Sequence, residues 1–352
     1  MKIKQLETPV LVLDMDKMEE NIRTMQELTK KCGIALRPHY KSHKCPQIAK
    51  WQMEAGAVGI SCAKLAEAED LINAGLKDVL IANQVISPSK ISRLAHLAGS
   101  CHLGVCVDDE ENILNLEKAA ALAGTKIYCL IEYEVGMNRC GVETKEEFLR
   151  LAKIIEKCPH LVYEGIQAYA GHLAHRKDHE ERKDASMKVD ARVKELIDYL
   201  EKNGMKAEKV SGVSTGTSIF KEKGLYTEMQ AGSYLFMDGA YAALGLKFIN
   251  ALFILAEVLS TKKDRVVVDA GLKSIGTDQG PPRLADHLEA EPNLSEEHTS
   301  FSLPGHNYKP GDKVFLIPGH NCTTVNLHNR VYMARGEEII GVLDITSRGR
   351  SF

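Results

Sequence analysis

A parallel (β/α)8 barrel of the TIM type plus a C-terminal mostly-β domain is the α/β architecture this 352-residue sequence predicts. Three observations predict it. Eight short apolar runs recur through the first two thirds of the chain. Helical patterns stand between most of them, several stopping at a glycine. From about Phe248 helical periodicity fades, and strands alternate with Gly, Pro and charged turns.

In chain order, an isolated strand at residues 10–13 precedes the barrel series and is expected to join the β domain. The barrel strands follow at residues 34–36, 57–60, 79–82, 102–107, 126–131, 161–167, 209–212 and 227–231. Residues 64–74 place Leu65, Ala68, Leu71 and Ile72 on one helical face and stop at Gly75. Residues 109–123 do the same and end at Gly124; the charged segment 180–203, ending at Gly204, is the clearest helix. The expected domains are a barrel over residues 1–245 and a β domain over 246–352. The strands of the latter are VVVDA, KVFLIP, RVYMAR and IIGVLDI, with residues 280–308 as a long polar connection or excursion within it.

Composition narrows the function classes. Apolar residues make up 44% of the chain, enough for a large core, and the formal net charge of −3 provides no global basic field for nucleic acid. No apolar run reaches the ~18 residues of a membrane span. The nine cysteines lack any CxxC spacing, and the first residues show no secretory leader pattern. Free thiols in a reducing cytoplasm are the expectation.

Polar clusters follow the apolar runs, where barrels of this kind build their sites. RPHYKSHK (residues 37–44) follows the first barrel strand and carries Arg37, His39, Lys41, His43 and Lys44 without a carboxylate. A lysine crowded by cations is biased toward the neutral amine that a Schiff base requires, which singles out Lys41; a solvated basic loop is the alternative. GVSTGTS follows the seventh strand: Gly212 and Gly216 admit close backbone approach, and Ser214, Thr215 and Thr217 add hydroxyls for an anion such as phosphate. An ordinary helix cap is the alternative there. Together a phosphate loop, a lysine and a barrel suggest pyridoxal phosphate. In PGHNCTTVNLH, His320 and Cys322 are two apart, so on an extended segment they face one side and can share a metal with open positions; a buried cysteine beside a turn histidine is the alternative.

RPHYKSHK, VGMNRCGV, EMQAGSYLFMD, VVVDAGLKS and PGHNC, in this order, resemble the fold-type III pyridoxal-phosphate enzymes of the alanine racemase-like superfamily. The chain is similar over nearly its whole length to the metal-activated branch holding D-threonine aldolase, D-threo-3-hydroxyaspartate aldolase or dehydratase, and D-serine dehydratase. The resemblance implies that Lys41 is the Schiff-base lysine; His43, close by in the same stretch, is a second catalytic candidate whose role is open. It implies that Arg139 meets the cofactor's phenolic oxygen, and that Gln167, Tyr169 and His172 line the ring or substrate face. Ser214, Gly216, Thr217, Gly232, Ser233 and Tyr234 would hold the phosphate end, and His320 and Cys322 the metal. The implied enzyme is a cytoplasmic homodimer whose partner completes each site. Its substrate is a D-β-hydroxy-α-amino acid, cleaved to glycine and an aldehyde or dehydrated to a keto acid and ammonia. His-x-Cys in place of His-x-Asp matches the dehydratases and favours zinc over manganese or magnesium. A non-catalytic pyridoxal-phosphate carrier and a racemase are the rival classes.

Overall fold

Backbone pairing turns the strand pattern into two separate sheets. The computed structural model describes residues 1–352 and divides them into two compact units. The barrel unit comprises Gln26–Lys41, Ile48–Gly232 and Arg350–Phe352; the β unit comprises Met1–Met25, Ser42–Gln47 and Ser233–Gly349.

β1 (Val10–Asp14) opens the chain and belongs to the β unit. The barrel strands are β2 (Ala35–Leu36), β3 (Ile60–Cys62), β4 (Asp78–Ile81), β5 (His102–Val107), β6 (Ile127–Glu132), β7 (Leu161–Ala168), β8 (Lys209–Gly212) and β9 (Glu228–Met229). They pair in parallel in the order β2-β9-β8-β7-β6-β5-β4-β3. The ring joins between β2 and β3 through the single bridge His39–Ser61 and the bonds from Val58 N to Leu36 O and from Ser61 N to Pro38 O. Helices return the chain between strands, as parallel pairing demands. Glu110–Ala123 begins where Asp109 accepts from Asn112 N at 2.9 Å, and it ends at Gly124, whose φ of 65° suits a residue without a Cβ.

Ionised side chains fill the floor of the barrel, at the amino ends of the strands. Arg37, 2% exposed, donates to Glu228 Oε1 at 2.8 Å and to Asp78 Oδ1 at 2.5 Å. His102 continues the chain, 3.5 Å from Asp78 and 2.8 Å from Glu164, which also accepts from Lys209 Nζ at 2.8 Å. The Asp78 and Glu164 carboxylates raise His102 to about 9 from an ordinary 6.5. Burial opposes ionisation of Asp78, but His102 and Arg37 prevail and lower it to about 2. Because the folded value of His102 lies above the unfolded one, its contribution is complete below about pH 6.5 and disappears as pH climbs through about 9. Urea denaturation across that window will show stability falling on the alkaline side, and H102Q will lack that part of the fall.

The β unit is built on β10 (Leu252–Lys262), β11 (Arg265–Val268), β12 (Arg283–Leu284), β13 (Glu291–Leu294), β14 (Thr299–Ser302), β15 (Lys313–Ile317), β16 (Arg330–Arg335) and β17 (Glu338–Asp344). With β1 they form one sheet in the order β13-β14-β11-β10-β1-β16-β17, β15 joining β10 to β12. Within this sheet β1 lies antiparallel to β10 and parallel to β16. A register shift between Val258 and Ser260 lets β10 pair with β1 and β15 along one stretch and with β11 along the next. Of the connection or excursion expected over residues 280–308, the structure shows an excursion that carries β12, β13 and β14. No helix is long and apolar enough to cross a membrane.

Candidate active site

The basic stretch after β2 is dispersed rather than gathered. Arg37 turns to the barrel floor and its two carboxylates. His43 and Lys44 belong to the β unit, where His43 Nδ1 lies 3.1 Å from the Cys45 carbonyl and Lys44 Nζ donates to Ser347 O at 3.4 Å. The expected crowding of Lys41 by cations therefore fails at Arg37, which shares no lining with it and pairs with the buried Glu228 and the partly exposed Asp78.

Lys41 instead lines a cleft of about 170 Å³ at the carboxyl ends of the barrel strands, with His39, Ala63, Ala82, Asn83, Arg139, Gln167, Tyr169 and Gln230. Its backbone N–H donates to His39 Nδ1 at 3.3 Å, and Nζ stands 5.8 Å from the centroid of the Tyr169 ring. Arg139 reaches this cleft from the loop after β6, donating to Glu132 Oε1 at 3.3 Å. Glu132 is buried and accepts from Gln84 Nε2 at 2.7 Å, so the carboxylate that steadies Arg139 is itself held. Gln167 ends in a reciprocal amide pair with Gln230, whose Nε2 also donates to Ser211 Oγ at 2.8 Å. Two planar amides locked this way give a cleft wall with fixed donors and acceptors.

In the loop after β8, Ser214 and Thr217 are buried with their hydroxyls 3.1 Å apart. A Cβ on Gly216 would come within 2.3 Å of Ala174 O, so this glycine is required by close backbone packing. Gly232 ends the barrel segment; Ser233 and the buried Tyr234, packed on Phe248, begin the β unit. His172 is not among the cleft-lining residues: its ring lies beside Gly136 and its backbone N against Met137 Sδ. An amine, a guanidinium and a nearby hydroxyl loop at one barrel mouth form a donor set that fits a phosphorylated aldehyde.

The second cluster lies in the β unit. His320 is extended at φ −142°, but Cys322 sits inside the short helix Asn321–Val325, so the pair does not share one extended segment as the sequence suggested. Asp238 causes this. Its Oδ2 accepts from Asn321 N at 3.0 Å and its Oδ1 from Tyr241 N at 3.0 Å, starting two helices from one buried carboxylate. The His320 and Cys322 side chains still meet, and His320 Nδ1 is 2.7 Å from Asp278 Oδ2. Burial pulls His320 down, but contact with Cys322 and Asp278 raises it to about 9. Surroundings that favour a protonated imidazole also favour a metal cation, and imidazole with thiolate suits zinc. Cys322 Sγ lies 3.8 Å from the hydroxyl of Ser42, the residue that follows Lys41.

Comparison with known proteins adds the lineage. The alanine racemase N-terminal domain family matches residues 13–240, and the putative serine dehydratase domain family matches residues 251–334. The chain belongs to the alanine racemase-like family of pyridoxal-phosphate enzymes. Within it the chain is 39% identical to a 3-hydroxy-D-aspartate aldolase of Paracoccus denitrificans (strain Pd 1222), covering 99% of this chain and 94% of that one. It is 30% identical to a D-threo-3-hydroxyaspartate dehydratase of Delftia sp. (strain HT23) over 79% of this chain and 75% of the relative. The crystal structure of D-threonine aldolase from Filomicrobium marinum superposes with a TM-score of 0.96 at 36% identity, covering 99% and 98% of the two chains. Like these relatives, this alanine racemase-like chain is a pyridoxal-phosphate-dependent lyase. Three residues of the site escaped the sequence reading: Glu132, Gln230 and Asp238. Glu132 ends β6 and Gln230 follows β9, where polar residues at strand ends are the signal; Asp238 before Gly-Ala-Tyr-Ala is a helix-cap pattern.

Proposed function

We propose that this lyase acts on D-β-hydroxy-α-amino acids in the retro-aldol sense, converting D-threonine to glycine and acetaldehyde. The observation that carries the reading is likeness to aldolases across the full chain, in sequence and in fold. When bound, pyridoxal phosphate supplies an electron sink at the substrate's Cα, and a divalent metal supplies a Lewis acid for the β-oxygen. Lys41 Nζ is the proposed attachment point for the cofactor's aldehyde carbon. Arg139, steadied by Glu132, would meet the ring's phenolic oxygen, with Gln167, Tyr169 and His172 toward the ring or substrate. Ser214, Gly216, Thr217, Gly232, Ser233 and Tyr234 would hold the phosphate end. His320 and Cys322 would hold the metal, zinc before manganese or magnesium. His43, whose Nδ1 lies 3.1 Å from the Cys45 carbonyl, is a candidate proton carrier. A cytoplasmic homodimer with the site at the subunit interface completes the proposal.

Cys322 favours a second reading. Its His-x-Cys pattern is that of the D-serine dehydratases, and a dehydratase is among the relatives. In the aldol direction the β-hydroxyl loses its proton and the Cα–Cβ bond breaks. In dehydration Cα loses its proton and Cβ loses hydroxide, giving a keto acid and ammonia after hydrolysis. Base placement on a scale of about 1 Å separates them. Incubation with D-threonine and D-serine tests the choice: glycine with acetaldehyde is expected, whereas pyruvate from D-serine without aldol cleavage would reverse the assignment.

A further inference from the structure

The geometry points to Asp278 as a positioning residue that fixes the orientation and tautomer of His320, an inference that rests on the metal reading above. Asp278 Oδ2 meets His320 Nδ1 at 2.7 Å, and Oδ1 accepts from Thr323 Oγ1 at 2.6 Å. Both oxygens are thus engaged by residues that flank Cys322, one on each side. The loop carrying Asp278 is held against the same helix, Gly276 N donating to Thr324 Oγ1 at 3.0 Å. It sits so close that a Cβ on Gly276 would fall 2.1 Å from Thr323 Oγ1. The helix in turn holds His320, since Thr324 Oγ1 donates to His320 O at 2.7 Å.

A carboxylate accepting from Nδ1–H fixes the proton on that nitrogen and assigns coordination to Nε2. It also raises the basicity of the coordinating nitrogen. Asp278 is about half exposed, so its gain is mainly one of alignment, with the charge screened by solvent. Thr323 aligns the carboxylate as the carboxylate aligns the imidazole. The result is a relay of side chains from one short helix, through the loop, back to the residue preceding that helix.

Zinc affinity of the metal-stripped full-length protein, measured by competition with a chromophoric chelator, tests this. D278A will bind zinc about 10- to 100-fold more weakly than the parent. D278N will keep most of the affinity, because its amide oxygen can still accept from Nδ1–H, and T323V will lose a few-fold. Thermal melts of the stripped proteins will coincide, separating alignment from folding. Parental affinity in D278A, with affinity lost in H320A, would overturn the role of Asp278 and leave the metal site intact. D278N as weak as D278A would overturn the alignment account. A parent chain that competes for no zinc would remove the metal reading, and this role with it.

Discussion

Replacing Lys41 with alanine will abolish covalent retention of pyridoxal phosphate and lower lyase turnover by more than about a thousandfold. Lys41 is the one lysine among the residues lining the barrel-mouth cleft. No neighbour can substitute for it, because Lys44, three residues on, is turned to Ser347 O in the β unit. The measurement is the visible absorbance of the protein after incubation with the cofactor and gel filtration, backed by borohydride reduction and peptide mapping. Lys44→Ala will keep the absorbance. A K41A protein that retains the band, or a reduced adduct mapped to another lysine, would refute the assignment whatever the activity showed.

The second large effect concerns the barrel floor. Arg37→Leu leaves Glu228, 3% exposed, and Asp78 facing each other without their shared guanidinium. Breaking a buried pair by removing one partner costs about 3–5 kcal/mol, because the remaining charge is uncompensated. For a unit of this size that lowers the melting temperature by on the order of 10 °C. Glu228→Leu placed on the Arg37→Leu background will recover part of the loss, since a packed apolar pair avoids the desolvation. Calorimetry of the single and double variants decides it. If R37L melts with the parent, the ion pairs at the floor are not what holds the lower end of the strands.

Barrel strands were legible because each is an apolar run bounded by helical periodicity; the basic stretch after the first pointed to Lys41 and the family resemblance to Arg139, Gln167 and Tyr169, and the four line one cleft. Arg37 was misread as a neighbour of Lys41 because its partners are 41 and 191 residues away, a distance local sequence does not encode. The same holds for Cys322. Its HNC spacing looks extended, but a carboxylate 83 residues upstream starts a helix at Asn321. The hairpin β13–β14 escaped because β13, at the sheet edge, alternates between exposed and half-covered residues, and β14 buries only Thr299 and Phe301 between serines, leaving no apolar run to see. His172, in the polar loop after β7, sets its ring beside Gly136.

The ionic plug at the amino ends of the strands leaves no space for even a water molecule between Arg37, Asp78, His102, Glu164, Lys209 and Glu228. Traffic along the barrel axis is therefore closed from below. A molecule that enters the mouth toward Lys41 has no passage through the floor.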